Sequence, residues 1–292
     1  MANKTSYFVD QSPFFRLNSK RKLAELLEFK LADFATLVDD SNYHVFKNEQ
    51  EREIQHPIKN LDPVHRRISK LLARLELPDY LHSRKGRSYV SNAAAHALDV
   101  PLIKTDISKF YPSTSFSTVF NLFHERFQCS TDVAWHLARL CCFKGRHLPT
   151  GSYLSGIVAF LAHQSMFDEI HELSLSAGCT MTCYVDDVVL SGSGATKALL
   201  YKVRGIINRH GLAAKREKSK TFPAEKPKIV TGVVITSGGL TVPNKRLQDA
   251  RRVRNLIKKT RDIKEKDRLR LSLKGKLQEA KQIHAFGRIK KV

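Results

Sequence analysis

At 292 residues the chain can bury a substantial core, as one large domain or two closely packed ones, which excludes a peptide-sized scaffold. Lys and Arg number 50 against 28 Asp and Glu, a formal charge of +22, so the expected partner is an extended polyanion, with nucleic acid the first candidate. No apolar run approaches the roughly 18 residues that span a bilayer, the N-terminus lacks a signal-peptide core, and the five cysteines form no Cys-x-x-Cys pair; these features argue against a membrane partner, zinc and disulfides, and for a cytoplasmic protein whose cysteines pack as small apolar residues.

In chain order, apolar residues at helical spacing predict one amphipathic helix over residues 21–38 (Leu23, Leu26, Leu27, Leu31, Phe34, Leu37) and a second over 61–77 (Val64, Ile68, Leu71, Leu72, Leu75), with an extended segment at 52–58 between them. A basic, glycine-containing loop, HSRKGRSYVSN, follows at 82–92. PLIKTD, 101–106, reads as a buried strand ending in an acid, then helices over 114–127 and 132–143, a loop KGRHLPTGS, and a long apolar helix over 153–175. Two short strands flank Asp186-Asp187; a helix over 196–210, a strand around 220–222, a hairpin turned at Gly238-Gly239 and basic helices over 245–283 close the pattern, with cations thickening from Lys245 to Lys291. Short strands and long helices without a regular βαβ period favour an α+β fold with an antiparallel sheet. No Gly-x-Gly-x-x-Gly or phosphate-cradling Gly-x-x-x-x-Gly-Lys-Ser loop occurs, so nucleotide binding would rely on metal ions and side chains.

The stretch CYVDDVVLSG places two aspartates between apolar runs. As a polar turn this is ordinary. Adjacent carboxylates nevertheless repel one another unless a cation lies beside them, and a third acid at a neighbouring strand end, Asp106, completes a candidate site for two Mg²⁺ ions. Ions roughly 3.5 to 4 Å apart activate an attacking hydroxyl and stabilise the entering and leaving oxygens of an in-line phosphoryl transfer.

TDISKFYPST, 105–114, resembles the first catalytic motif of reverse transcriptases, and YVDD, 184–187, their third, in the family's order. LPTGSYLS, 148–155, stands where the family has its second motif; GLAAKREKSK, 211–220, resembles the lysine-bearing fourth, and VTGVVI, 230–235, the primer-grip hairpin. NAAAH, 92–96, and VTG, 230–232, resemble elements of retron reverse transcriptases. Position 150 is Thr where the family usually has Gln, positions 153 and 156 are Tyr and Gly where it has Pro, and 185 is Val where Ala is more common.

The resemblance implies a right-hand polymerase with N-terminal helices and fingers over 1–100, a palm with inserted finger elements over 101–228, a primer-grip hairpin over 229–243 and a helical thumb over 244–292. It implies Asp106, Asp186 and Asp187 as catalytic, metal-binding acids, with the Ile107 carbonyl as a further metal ligand. Tyr111 would stack under the incoming sugar and exclude a 2′-hydroxyl, Gly151 would let the backbone approach template and nucleotide, and Lys218 or Lys220 would face the triphosphate. Arg52, Arg84, Lys85 and Arg87 would meet template phosphates in the fingers, and Asn92 and His96 a structured RNA. Lys274, Lys276 and Lys281 would follow an RNA–DNA hybrid in the thumb.

The function implied is RNA-directed DNA synthesis from dNTPs by a retron enzyme. It would prime on a structured non-coding RNA (msr-msd), yield branched RNA–DNA (msDNA), and serve antiphage defence with an effector protein; an RNase H or endonuclease domain is not expected. Two alternatives stay open: a stand-alone defence or abortive-infection polymerase without a retron RNA, and a non-catalytic RNA-binding scaffold.

Overall fold

A computed structural model describes residues 6–289, with side chains to residue 286; Lys291, the end of the basic stretch, lies outside the described residues. In chain order the elements are α1 (Lys20–Leu27), α2 (Phe34–Leu37), β1 (Tyr43–Lys47), β2 (Glu53–Pro57), α3 (Leu61–Leu72), α4 (Tyr89–Ala94), β3 (Leu102–Asp106), α5 (Phe110–Ser113), α6 (Phe116–Asn121), α7 (Thr131–Cys141), α8 (Ser155–Ala162) and α9 (Gln164–Ser176). They continue with β4 (Cys179–Tyr184), β5 (Asp187–Gly192), α10 (Lys197–Arg209), β6 (Lys220–Phe222), β7 (Lys228–Val230), β8 (Val233–Thr236), β9 (Gly239–Thr241), α11 (Asn244–Lys259) and α12 (Ile263–Ile289). The α+β class with antiparallel sheets is as expected from the sequence. Among the described residues no helix is long and apolar enough to cross a membrane, and all five cysteines are buried free thiols.

The chain forms two compact units that interleave in sequence. The first comprises Met1–Asp79, Ile107–Glu169 and Ile207–Ala213. Its core includes the buried rings of Phe14, Phe123 and Phe127 and the apolar face of α3. The two-stranded antiparallel sheet β1–β2 pairs Val45 with Gln55 and Phe46 with Ile54. Thr150 clasps the following loop to β2: its backbone N–H donates to Gln55 Oε1 (2.9 Å) and its hydroxyl to the Glu53 carbonyl (2.9 Å). Gly151 N–H donates to the Gln55 carbonyl, and a Cβ at position 151 would stand 2.8 Å from that oxygen. Because the neighbour is backbone already held in a sheet, Gly151→Ala is expected to destabilise the protein by about 1–3 kcal/mol, read by urea unfolding. Unchanged stability would mean that the loop relaxes freely.

The second unit comprises Tyr80–Asp106, Ile170–Ile206 and Ala214–Val292. A four-stranded antiparallel sheet has the order β4-β5-β3-β6, and a three-stranded one the order β7-β8-β9. Val90 and Ala93 of α4, Leu102, Val189, Val230, Val233, Ile235 and Ile283 of α12 form one buried cluster that joins the two sheets to the C-terminal helix. Lys228 is wholly buried here and donates to the Leu98 carbonyl; burial pushes its pKa down.

Several expected elements differ. The single helix over 21–38 is broken at Glu28, which adopts the left-handed conformation (φ 64°) and closes α1 as a C-cap. The helix over 61–77 ends at Leu72, and the apolar helix over 153–175 is interrupted at His163, whose ring pairs with Thr114 Oγ1 (3.2 Å). The predicted hairpin at 228–243 is a three-stranded meander, because Thr231 (φ 44°) and Gly232 (φ 78°) make an additional turn between β7 and β8. β1 is an additional strand, and α4 occupies the second half of the predicted 82–92 loop, where Ser88 and Ser91 cap one another reciprocally.

Candidate functional site

Asp106 ends β3 and Asp187 begins β5, and the antiparallel register sets these two residues opposite one another. β4 and β5 are joined by the two-residue turn Val185-Asp186. Val185, the first turn residue, has φ 58°, a conformation for which hairpins of this length usually use glycine and which a β-branched side chain rarely adopts. Asp106 and Asp187 thus stand at strand ends of one sheet within the second unit, where backbone pairing fixes their Cα positions, and Asp186 stands in the turn that joins two of its strands.

The electrostatics are those of a carboxylate cluster matched by lysines. Burial, then the neighbouring charges of Asp106 and Asp187, raise the Asp186 pKa to about 6. Burial and Asp106 likewise raise Asp187, against the opposing pull of Lys104, Lys218 and Lys215. Asp106 itself is 2% exposed; Lys218 Nζ donates to its Oδ2 at 2.6 Å and Lys215 Nζ lies 3.0 Å from its Oδ1. The hydrogen bond to Asp106 raises Lys218, whereas burial lowers Lys104, whose Nζ donates to the Ile229 carbonyl (2.8 Å). Lys220 faces Lys104 across the β3–β6 pairing.

A pocket of about 660 Å³ lies over this sheet, lined by Asp186, Asp187, Lys104, Lys218, Lys220, Thr231, Gly232 and Arg246 among others. Arg246 donates to Glu279 Oε1 at 2.6 Å, and the Tyr89 hydroxyl donates to the same oxygen at 3.0 Å, tying α11, α12 and α4 together at the pocket wall.

Among the described residues no three His, Cys, Asp or Glu side chains converge as a ready cage for a metal ion, and Asp106 meets lysines instead. The donor chemistry nonetheless fits a hard divalent cation. Asp106 Oδ1 is buried and accepts no hydrogen bond despite the nearby Lys215 ammonium, and Asp186 and Asp187 are carboxylates whose ionised forms burial and mutual repulsion disfavour.

The remaining sequence-derived candidates divide between the units. Ile107 (buried), Tyr111 (partly buried), Gly151 and Arg52 (exposed, in the β1–β2 turn) belong to the first unit. Arg84, Lys85 and Arg87 lie in the second unit on the loop before α4, with Lys85 exposed. Asn92 and His96 are buried: Asn92 Nδ2 donates to Thr231 Oγ1 (3.4 Å), and the His96 ring bridges Ser191 Oγ and Thr182 Oγ1 (both 2.7 Å). Their polar atoms thus face protein, and the NAAAH and VTG segments touch one another. On α12, Lys274 and Lys281 are exposed and Lys276 partly so. Lys104 and Lys215 were not anticipated. Lys104 had a signal, since two residues before Asp106 on a strand is the same face, and Lys215 stands one 3₁₀ turn before Lys218.

Curated relatives are retron enzymes. The chain is 28% identical over 225 residues to the Retron Se72 reverse transcriptase of Salmonella heidelberg, covering 72% of this chain and 57% of that one. It is 26% identical over 169 residues to the Retron Ec86 reverse transcriptase of Escherichia coli (57% and 52%), and 25% over 271 residues to the Retron Mx162 reverse transcriptase of Myxococcus xanthus (79% and 56%). The chain spans little more than half the length of these relatives. Solved structures with similarity include apo telomerase from Candida tropicalis truncated from its C-terminal domain (13% identity, TM-score 0.45, 67% of this chain and 53% of that one). Telomerase from Candida albicans with a fragment of telomeric RNA is comparable (11%, 0.46, 69% and 46%). The fold assignment rests on neither. Residues 40–235, well over half of the chain, match the family described as reverse transcriptase (RNA-dependent DNA polymerase), so this chain belongs to the reverse transcriptases and has their right-hand polymerase fold.

Proposed function

We propose that the protein is an RNA-directed DNA polymerase of retron type, which copies a cognate structured RNA (msr-msd) into DNA from dNTPs and leaves a branched RNA–DNA product, msDNA. The observation that carries the reading is the register of Asp106 against Asp187 with Asp186 in the adjoining turn, and Asp186 and Asp187 line one pocket. Bound Mg²⁺ would supply Lewis-acid stabilisation of the entering and leaving oxygens. Asp106, Asp186 and Asp187 would hold it, with the Ile107 carbonyl. Lys218, now on Asp106, is within the same pocket and provides a point charge for a triphosphate; Lys220 and Lys104 extend that positive wall. Tyr111 would select against a 2′-hydroxyl by shape, and Gly151 would lie against template and nucleotide. Arg52, Arg84, Lys85, Arg87, Lys274, Lys276 and Lys281 would meet phosphates, in fingers and thumb respectively. Buried Asn92 and His96 would shape an RNA surface from beneath rather than touch RNA.

Antiphage defence with an effector protein, in the cytoplasm, is part of the same reading. The test is primer extension on an RNA template together with sequencing of co-purified nucleic acid, comparing wild type with Asp186→Ala/Asp187→Ala. Extension by wild type alone, with a branched species sensitive to debranching enzyme, is the expected result. Equal synthesis by both would overturn the catalytic assignment of Asp186 and Asp187, no synthesis by either would leave only a scaffold, and synthesis without branched nucleic acid would leave a stand-alone polymerase.

A further inference from the structure

The turn that carries Asp186 is in a conformation its own sequence does not favour. Val185 has φ 58° yet is β-branched, so something outside the hairpin must hold it. Both of its backbone polar groups are held by side chains. Its N–H donates to Ser83 Oγ at 3.2 Å, across 102 residues of sequence, and its carbonyl accepts from Cys183 Sγ at 3.6 Å. Burial raises the Cys183 pKa well above its ordinary value, which keeps the thiol protonated and able to donate.

The segment bearing Ser83 is itself anchored. Cys183 N–H donates to the Tyr80 carbonyl (2.7 Å) and His82 N–H to the Cys183 carbonyl (2.8 Å), so this segment runs as a bridge along β4. Arg87 Nη1 donates to His82 Nε2 (3.0 Å), because an arginine can only donate; His82 Nδ1–H then donates to Ser91 Oγ (2.9 Å) at the start of α4. Ser83 is thus fixed against β4 on one side and α4 on the other. All of these groups lie in the second unit.

We propose that Ser83 is a positioning residue for catalysis: its hydroxyl pins the left-handed Val185 and thereby sets the direction from which Asp186 enters the site. The inference rests on the polymerase reading, but one arm of its test does not. The loop that supplies Ser83 also carries Arg84, Lys85 and Arg87, so the segment offered to template phosphates and the turn offered to the reaction share one anchor.

In primer extension, Ser83→Ala lowers kcat roughly ten- to hundredfold with KM for primer-template and dNTP unchanged, as expected when a reacting group is displaced by about an ångström. Ser83→Thr, which keeps the hydroxyl, stays near wild type. Glycine adopts positive φ without help, so in a Val185→Gly background the further change Ser83→Ala costs less than about threefold. Independently of activity, hydrogen exchange of the Val185 amide quickens at least about tenfold in Ser83→Ala, because its acceptor is gone. If Ser83→Ala does not fold, Ser83→Val against Ser83→Thr makes the same comparison of like shapes with and without the hydroxyl. A wild-type kcat in Ser83→Ala, an equal penalty in the Val185→Gly background, or unchanged exchange at Val185 each overturns the proposal. Absent synthesis by wild type defeats the polymerase reading instead, and the exchange measurement still decides the role of Ser83.

Discussion

Asp106→Asn and Asp186→Asn will both lower DNA synthesis by at least about a thousandfold, some 4 kcal/mol of transition-state stabilisation, yet they will move the stability of the metal-free protein in opposite directions. Asp106 is the counter-ion of two lysines, with Lys218 at 2.6 Å and Lys215 at 3.0 Å. Removing its charge leaves both ammonium groups without their partner, so unfolding in chelator becomes easier. Lys218 is nearly half exposed, which moderates the loss through solvent screening. Asp186 is the reverse case. Its pKa is raised to about 6 by burial and by Asp106 and Asp187, so at neutral pH the folded state holds an ionised group that it disfavours. Asp186→Asn removes that charge and stabilises the protein by an amount on the order of 2 kcal/mol. Added Mg²⁺ raises the Tm of wild type and not of Asp186→Asn, because only a ligand that binds the folded state shifts unfolding. The measurement is Tm in chelator and in Mg²⁺, beside primer extension. Two variants that lose activity and shift stability alike would show that the site does not divide its charges in this way.

The second large effect is on acid stability and belongs to the first unit. His65 is fully buried: its Nε2–H donates to the Leu140 carbonyl (2.7 Å), and its Nδ1 accepts from the Ser152 hydroxyl (2.7 Å). A carbonyl can only accept, which fixes the neutral tautomer. Burial pushes His65 down to about 4, and His163, buried beside Thr114 and facing His210, to about 4 as well. In the unfolded chain each titrates near its ordinary 6.5. Between those values the unfolded state binds more protons, so the stability these residues contribute is full above about pH 6.5 and is lost as pH falls toward 4. The cost approaches about 3 kcal/mol for each. Asp186 acts oppositely over part of this range, since its raised pKa favours proton uptake by the folded state. Urea unfolding between pH 7.5 and 5 will therefore steepen with acid in wild type and flatten in His65→Gln/His163→Gln. Equal slopes in the two proteins would mean that the histidines become charged without penalty.

Local pattern carries much of this protein. The strand Leu102–Asp106, the acidic hairpin, the strand Lys220–Phe222 and the basic C-terminal helices were legible because short apolar or β-branched runs bounded by turn residues, and a long basic stretch of helix formers, are written into adjacent residues. Where a conformation depends on one residue's φ, pattern failed: Glu28 ends a helix whose apolar spacing continues, and Thr231 and Gly232 add a turn inside a run of β-formers. The spacing of Asp106 and Asp186-Asp187 in motifs that resemble the family's nominated these acids as candidates.

By itself, then, the sequence determined an α+β chain of high positive charge and the family it resembles, and it nominated three aspartates as candidate acids. Only the tertiary structure decided that Lys215 and Lys218 close on Asp106, that Asn92 and His96 turn inward, and that Ser83 reaches Val185 from 102 residues away. The reason is physical. Periodicity tells a residue which face of its own element it occupies, whereas the partner across a sheet or loop is set by register and chain path, which neighbouring residues do not encode.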